Sequence, residues 1–193
     1  LPPHVYTQEH EKVRDRLPAA IDFITDNHLN EFFDGRHDNV GIITCGGTYN
    51  TLIRALERQS LSDVYGNSHI PIYCLNVAYP LVPKEVLQFC RDKDRVLILE
   101  EGQPEYIEQG MATILRRAGV NTPLFGKSIM PVAGEYTGQV MLEGITRFLS
   151  ESHGVPLRMT LEEVKARETP LSQDDISDLM GVVPPRPAGL CTG

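Results

Sequence analysis

Apolar positions along this chain fall into two patterns: stripes with a helical period, and short unbroken runs bounded by turn residues. From Glu9 to about Asn27 the residues Val13, Leu17, Ala20, Ile21 and Ile24 recur near 3.6-residue spacing, which predicts a helix. Pro18 sits inside it and either opens its second half or kinks it. After a loop at Gly35-Arg36-His37-Asp38-Asn39, the run Val40–Thr44 predicts a buried strand. Cys45-Gly46-Gly47 then turns the chain into a helix carrying Leu52, Ala55 and Leu56, with Thr48 as its N-cap.

The unit recurs. Ile70–Val77 is strand-like, with Pro71 near its start, where a missing donor is tolerated. Ala78-Tyr79-Pro80-Leu81-Val82-Pro83 leads to a helix holding Val86, Leu87, Phe89 and Cys90. Arg95–Glu100 is a third strand, Glu101–Pro104 a turn, and Ile107, Met111, Ile114, Leu115 and Ala118 form the stripe of the next helix. Thr122–Phe125 is a fourth strand. Thr137 caps a helix with Met141, Leu142, Ile145, Phe148 and Leu149. Thr160-Leu161-Glu162-Glu163 and Ser172-Gln173-Asp174-Asp175 both read as capping boxes opening short polar helices. Pro184–Gly189 is extended and proline-rich.

Alternating strands and helices predict an α/β fold with a mostly parallel sheet over residues 38–150. Residues 1–37 read as a linker helix from a preceding domain, and 151–193 as a helical and Pro-rich connector to a following one. The start at Leu1 and the end at Leu190-Cys191-Thr192-Gly193 look cut from a longer chain. In a parallel sheet, function gathers at the carboxyl ends of the strands.

Charge narrows the choice. Lys and Arg total 18 against 26 Asp and Glu, a net −8, so neither nucleic acid nor an anionic membrane is an expected partner. No apolar run approaches the length of a membrane span. Cys45, Cys74, Cys90 and Cys191 are widely spaced with no Cys-x-x-Cys pair, and this predicts a reducing, cytoplasmic compartment. The six histidines lack metal-ligand spacing, so no metal site is expected.

Candidate chemistry is sparse. Gly46-Gly47 could present backbone N–H groups to an anion, but the spacing matches neither the dinucleotide fingerprint nor the phosphate loop; a tight corner explains it as well. Cys45 lies where a helix start lowers a thiol pKa, but with no His or Lys nearby in sequence it reads as an inert buried thiol. Glu100 and Glu101 are the weak catalytic candidates, as acid or base at a strand end; the alternative is that one caps the following helix. Glu135 precedes a helix, where an acid suits the dipole. Tyr49, Tyr79 and Tyr136 lie near the loop rim and suit an interface, and loop packing explains them equally well.

Three runs together resemble a known family: Gly41–Asn50, Leu75–Leu81 and Val96–Glu108. They are similar to the indolepyruvate ferredoxin oxidoreductases, thiamine-diphosphate-dependent 2-oxo acid:ferredoxin oxidoreductases. The resemblance continues through Pro131–Thr137 and resumes at Pro184–Gly193, which in the family runs on into the diphosphate-binding domain. Arg16–Ala20 looks like the family's linker out of the pyrimidine-binding domain. The resemblance implies the internal transketolase C-terminal-like domain: a three-layer α/β/α sandwich, its sheet mostly parallel with one antiparallel strand. It implies that the parent decarboxylates a 2-oxo acid oxidatively to an acyl-CoA, using thiamine diphosphate, Mg²⁺ and iron–sulfur clusters, with ferredoxin and CoA as partners. None of those cofactors is expected on this stretch. Its expected role is non-catalytic, with interface loops at Cys45, Gly46, Gly47, Tyr49, Tyr79, Pro80, Glu100, Glu101 and Glu135 packing on other domains of the parent or on a partner subunit. The alternatives are the third domain of a transketolase-like or 2-oxo acid dehydrogenase enzyme and, more distantly, a stand-alone nucleotide- or flavin-binding module.

Overall fold

Along β2 (Val40–Cys45) side chains alternate between two separate cores, and this makes the molecule three layers deep. A computed structural model of the chain describes residues 2–166. Val40 and Ile42 join one core with α3 (Tyr49–Arg58), α6 (Gly138–Ser150) and α7 (Leu161–Ala166). Ile43 joins the other with α4 (Pro83–Cys90) and α5 (Tyr106–Arg117). Gly41 is needed on that second face, because a Cβ there would lie 2.8 Å from the Phe89 ring.

The sheet has five strands in the order β1-β3-β2-β4-β5, with β1 spanning Glu31–Phe33, β3 Ile72–Leu75, β4 Arg95–Leu99 and β5 Leu124–Phe125. β2, β3, β4 and β5 run parallel. β1 runs antiparallel on the outer edge, with Phe32 opposite Tyr73. The α/β fold and the α/β/α layering stand as read. β1 was missed: it lies inside residues 1–37, is three residues long, and carries no alternation long enough to detect.

The N-terminal helix begins earlier than its apolar stripe. α1 (Pro2–Glu11) passes through a π-helical turn, Lys12–Arg16, into α2 (Leu17–Asp26). The wide turn ends just ahead of Pro18, which has no N–H to return to a carbonyl in the preceding turn. Thr48 is not the side-chain cap expected of it. It closes a 3₁₀ turn, Gly46–Thr48, where its hydroxyl donates to the Cys45 carbonyl at 3.0 Å and lies 2.6 Å from Thr44 Oγ1.

Thr137 does cap α6, accepting from the Val140 N–H at 3.4 Å. The Thr160 box is complete: the Glu163 N–H donates to Thr160 Oγ1 and the Thr160 N–H to Glu163 Oε2. The first part of the stretch read as a connector is packed into the domain, since Val155, Met159 and Val164 are buried in the α3–α6 core. The Ser172 box, the proline-rich segment and Cys191 lie outside the described residues.

Candidate functional site

The chain leaves β2 through α3 to reach β3 on one side, then returns through α4 to β4 on the other. The reversal falls between β2 and β4, and in folds of this kind ligands collect at the carboxyl ends of the strands beside it. Cys45 ends β2 and Glu100 follows β4 there.

Cys45 is half-buried, and its thiol is pushed up, first by desolvation and then by the Glu100 charge. Such a thiol stays protonated and is a poor nucleophile. Gly46 after it is exposed, and a Cβ there would lie 3.0 Å from Asn76 Oδ1. Gly47 is exposed and has free space around it. Tyr49 is half-buried with its ring 5.2 Å from Phe33, and desolvation is the first cause raising its phenol.

The two glutamates do separate work. Glu100 is 8% exposed. Its carboxylate accepts from the Ile107 N–H at 3.0 Å and the Glu108 N–H at 3.2 Å, across the first turn of α5. A carboxylate there meets both the orphan donors and the positive end of the helix. The Glu100 carbonyl accepts from Lys127 Nζ and, at 2.8 Å, from the Tyr136 hydroxyl. Glu101 is exposed and accepts the Tyr136 N–H. Lys127 also donates to the Tyr136 hydroxyl at 2.8 Å. One network thus ties the loop after β4 to the segment between β5 and α6. Glu135, next to Tyr136, is exposed.

The loop after β3 is anchored from the edge strand. Asn76 donates to the Leu29 carbonyl at 3.0 Å and to Glu31 at 2.8 Å. Beneath it Asn30, Tyr73 and Glu85 form a buried network: Tyr73 donates to Glu85 at 2.7 Å and Asn30 to Glu85 at 2.9 Å. Burial, followed by that carboxylate, pushes the Tyr73 phenol far up. Beyond this anchor Tyr79 stands 71% exposed ahead of a cis Pro80. With Leu81, Tyr106, Ile107 and Ile114 it lines an apolar groove of about 660 Å³ that reaches Glu100. Tyr106 is 70% exposed.

The structure therefore brings Cys45 within the field of Glu100, ties Glu100 and Glu101 together through Tyr136, and sets Tyr79 on a groove that reaches Glu100. Glu135 reaches the cluster only through its neighbour. Lys127, Tyr106 and the Asn30–Tyr73–Glu85 network escaped sequence reading. Lys127 is one basic residue in a loop, and the network joins residues 43 and 55 positions apart. Among the described residues no group of His, Cys, Asp and Glu could hold a metal ion. Cys45, Cys74 and Cys90 are free thiols, the last two pushed up to about 11 and about 12, chiefly by burial.

No family model matches the chain. It is 30% identical over 183 residues to the indolepyruvate oxidoreductase subunit IorA of Thermococcus kodakarensis, covering 94% of this chain and 24% of that protein. The IorA of Pyrococcus abyssi is 29% identical over 162 residues, covering 83% and 22%. That of Methanothermobacter thermautotrophicus is 25% identical over 187 residues, covering 95% and 26%. The resemblance read from the strand-end loops stands: the chain is similar to IorA subunits and spans about a quarter of their length. Among solved structures, a 2-oxoglutarate:ferredoxin oxidoreductase from Magnetococcus marinus aligns with a TM-score of 0.48 at 16% identity, covering 75% of this chain and 23% of that one. A split-gene transketolase aligns with a TM-score of 0.43 at 16% identity, covering 63% and 41%. Those two likenesses are too slight to bear on function.

Proposed function

We infer that this chain is an internal, non-catalytic lobe of an indolepyruvate-type 2-oxo acid:ferredoxin oxidoreductase, holding thiamine-binding neighbours in place. The observation that carries this reading is the commitment of Glu100. Its carboxylate is the best-placed acid or base at the strand ends, and both of its oxygens are engaged by the N-terminus of α5. Glu101 is likewise engaged by a backbone N–H, and the Cys45 thiol is disfavoured as a thiolate.

The donor set does not fit the cofactors that the resemblance implies. Mg²⁺ with thiamine diphosphate wants clustered oxygen ligands, and an iron–sulfur cluster wants grouped thiolates. The described residues offer neither, which supports the reading that those groups sit on other domains of the parent. The exposed Tyr79 and Tyr106 and their apolar groove suit burial against such a domain or a partner subunit. In the parent, the neighbours carry oxidative decarboxylation to an acyl-CoA and electron transfer to ferredoxin, in a cytoplasmic setting.

The test is direct binding between this chain and separately produced thiamine-binding domains of an indolepyruvate oxidoreductase. Saturable association, weakened by Tyr79→Ser or Tyr106→Ser, is the expected result. No association, or one indifferent to both substitutions, would refute the reading.

A further inference from the structure

Away from the strand ends, three arginines converge on one recess. Arg54 and Arg58 stand one turn apart on the exposed side of α3, whose other side buries Leu52, Ala55 and Leu56. Arg158 comes from the segment before α7. Together with Ala55, Glu57 and Gly138 they line a hollow of about 550 Å³.

The position of Arg158 is built. Gln59, 1% exposed, grips the backbone of the next residue from both sides. Its Oε1 accepts from the Met159 N–H at 2.9 Å, and its Nε2 donates to the Met159 carbonyl at 3.2 Å. The same Nε2 donates to Thr146 Oγ1 at 2.6 Å, which ties the clamp to α6. A buried, satisfied polar network of this kind fixes local geometry.

The charges around the recess are unbalanced. The ion pairs among the described residues are Arg14–Asp15 and Arg95–Glu151, so none of the three guanidiniums pairs with a carboxylate there. Acids outnumber bases by 26 to 18 in this chain. Three cations and one acid, Glu57, line the hollow, and the net positive charge attracts an anion. Guanidinium forks match phosphate oxygens two at a time, and a hollow of about 550 Å³ has room for more than one phosphate group.

We propose that the Arg54–Arg58–Arg158 recess binds an anion carrying two or more phosphate groups. A compact oligophosphate fits the hollow. A flat acidic protein surface would find only Ala55 as an apolar contact, without the aromatic or aliphatic anchor that protein interfaces use. The proposal is independent of the interdomain role inferred above.

The test is calorimetric titration of the full chain with inorganic triphosphate, at low and at physiological salt. One saturable site is expected, tighter at low salt, and weakened about ten-fold by Arg58→Gln and by Arg158→Gln. Arg158→Lys keeps the charge without the fork and should fall between. Arg117→Gln, which alters the apolar groove instead, should bind as the unaltered chain does. Absence of saturable binding, equal affinity in Arg158→Gln, or tighter binding of oligoglutamate than of triphosphate would overturn the proposal.

Discussion

At Glu100 the side chain's worth is structural and can be measured. Replacing it with Ala leaves the half-buried Ile107 and Glu108 N–H groups without their acceptor at the start of α5. The expected cost is about 2 kcal/mol of unfolding free energy by chemical denaturation, with Gln recovering part of it. A variant as stable as the parent would show that the cap is idle. The thiols of Cys74 and Cys90 provide a second check. Their folded values, about 11 and about 12, lie above the ordinary thiol value of 9.0. The folded state therefore keeps protons that the unfolded state releases first. That contribution is whole below about pH 9 and is lost as pH rises through 11 to 12. Melting temperature should fall over that range, and Cys90→Ala should flatten the fall.

Among the elements, those with long stripes or sharp caps were legible in the sequence. Leu52, Ala55 and Leu56 marked α3, Thr137 marked the start of α6, and the reciprocal Thr160–Glu163 pair opened α7. Thr160→Ala should cost about 1 kcal/mol, read as a drop in the denaturation midpoint, and it tests whether α7 is held by its box as well as by Val164. What stayed hidden lacked local signal. β1 has three residues and owes its place to pairing with β3 and to the Phe32–Tyr73 stack at 4.6 Å, a tertiary gain that no window of its own sequence encodes. Thr48 had the chemistry of a cap, but a 3₁₀ turn between Cys45 and α3 redirected its hydroxyl to the Cys45 carbonyl. Gly35 read as one loop residue among several, yet a Cβ there would collide with the Pro71 backbone nitrogen. At the strand ends the candidates Glu100 and Glu101 were visible as residues, while their partners Lys127 and Tyr136 come from a segment about thirty positions on.

For the whole molecule, the exposed apolar groups have a pattern. Tyr79 and Tyr106 flank the groove near the sheet's carboxyl edge, and Val5, Tyr6, Val13 and Phe23 are exposed along the N-terminal helical segment. Contiguous apolar surface on an isolated chain favours association. Sedimentation velocity over a range of concentrations should show weak self-association, reduced by Tyr79→Ser with Tyr106→Ser; a monomer at every concentration would argue against a covered face. The central claim is that this lobe supports catalysis without a reactive centre of its own. It is tested most directly by titrating thiamine diphosphate with Mg²⁺ into the full chain carrying Arg58→Gln and Arg158→Gln, which removes the arginine recess from the readout, in a calorimeter. The account predicts no saturable heat, and a stoichiometric site of micromolar affinity would contradict it.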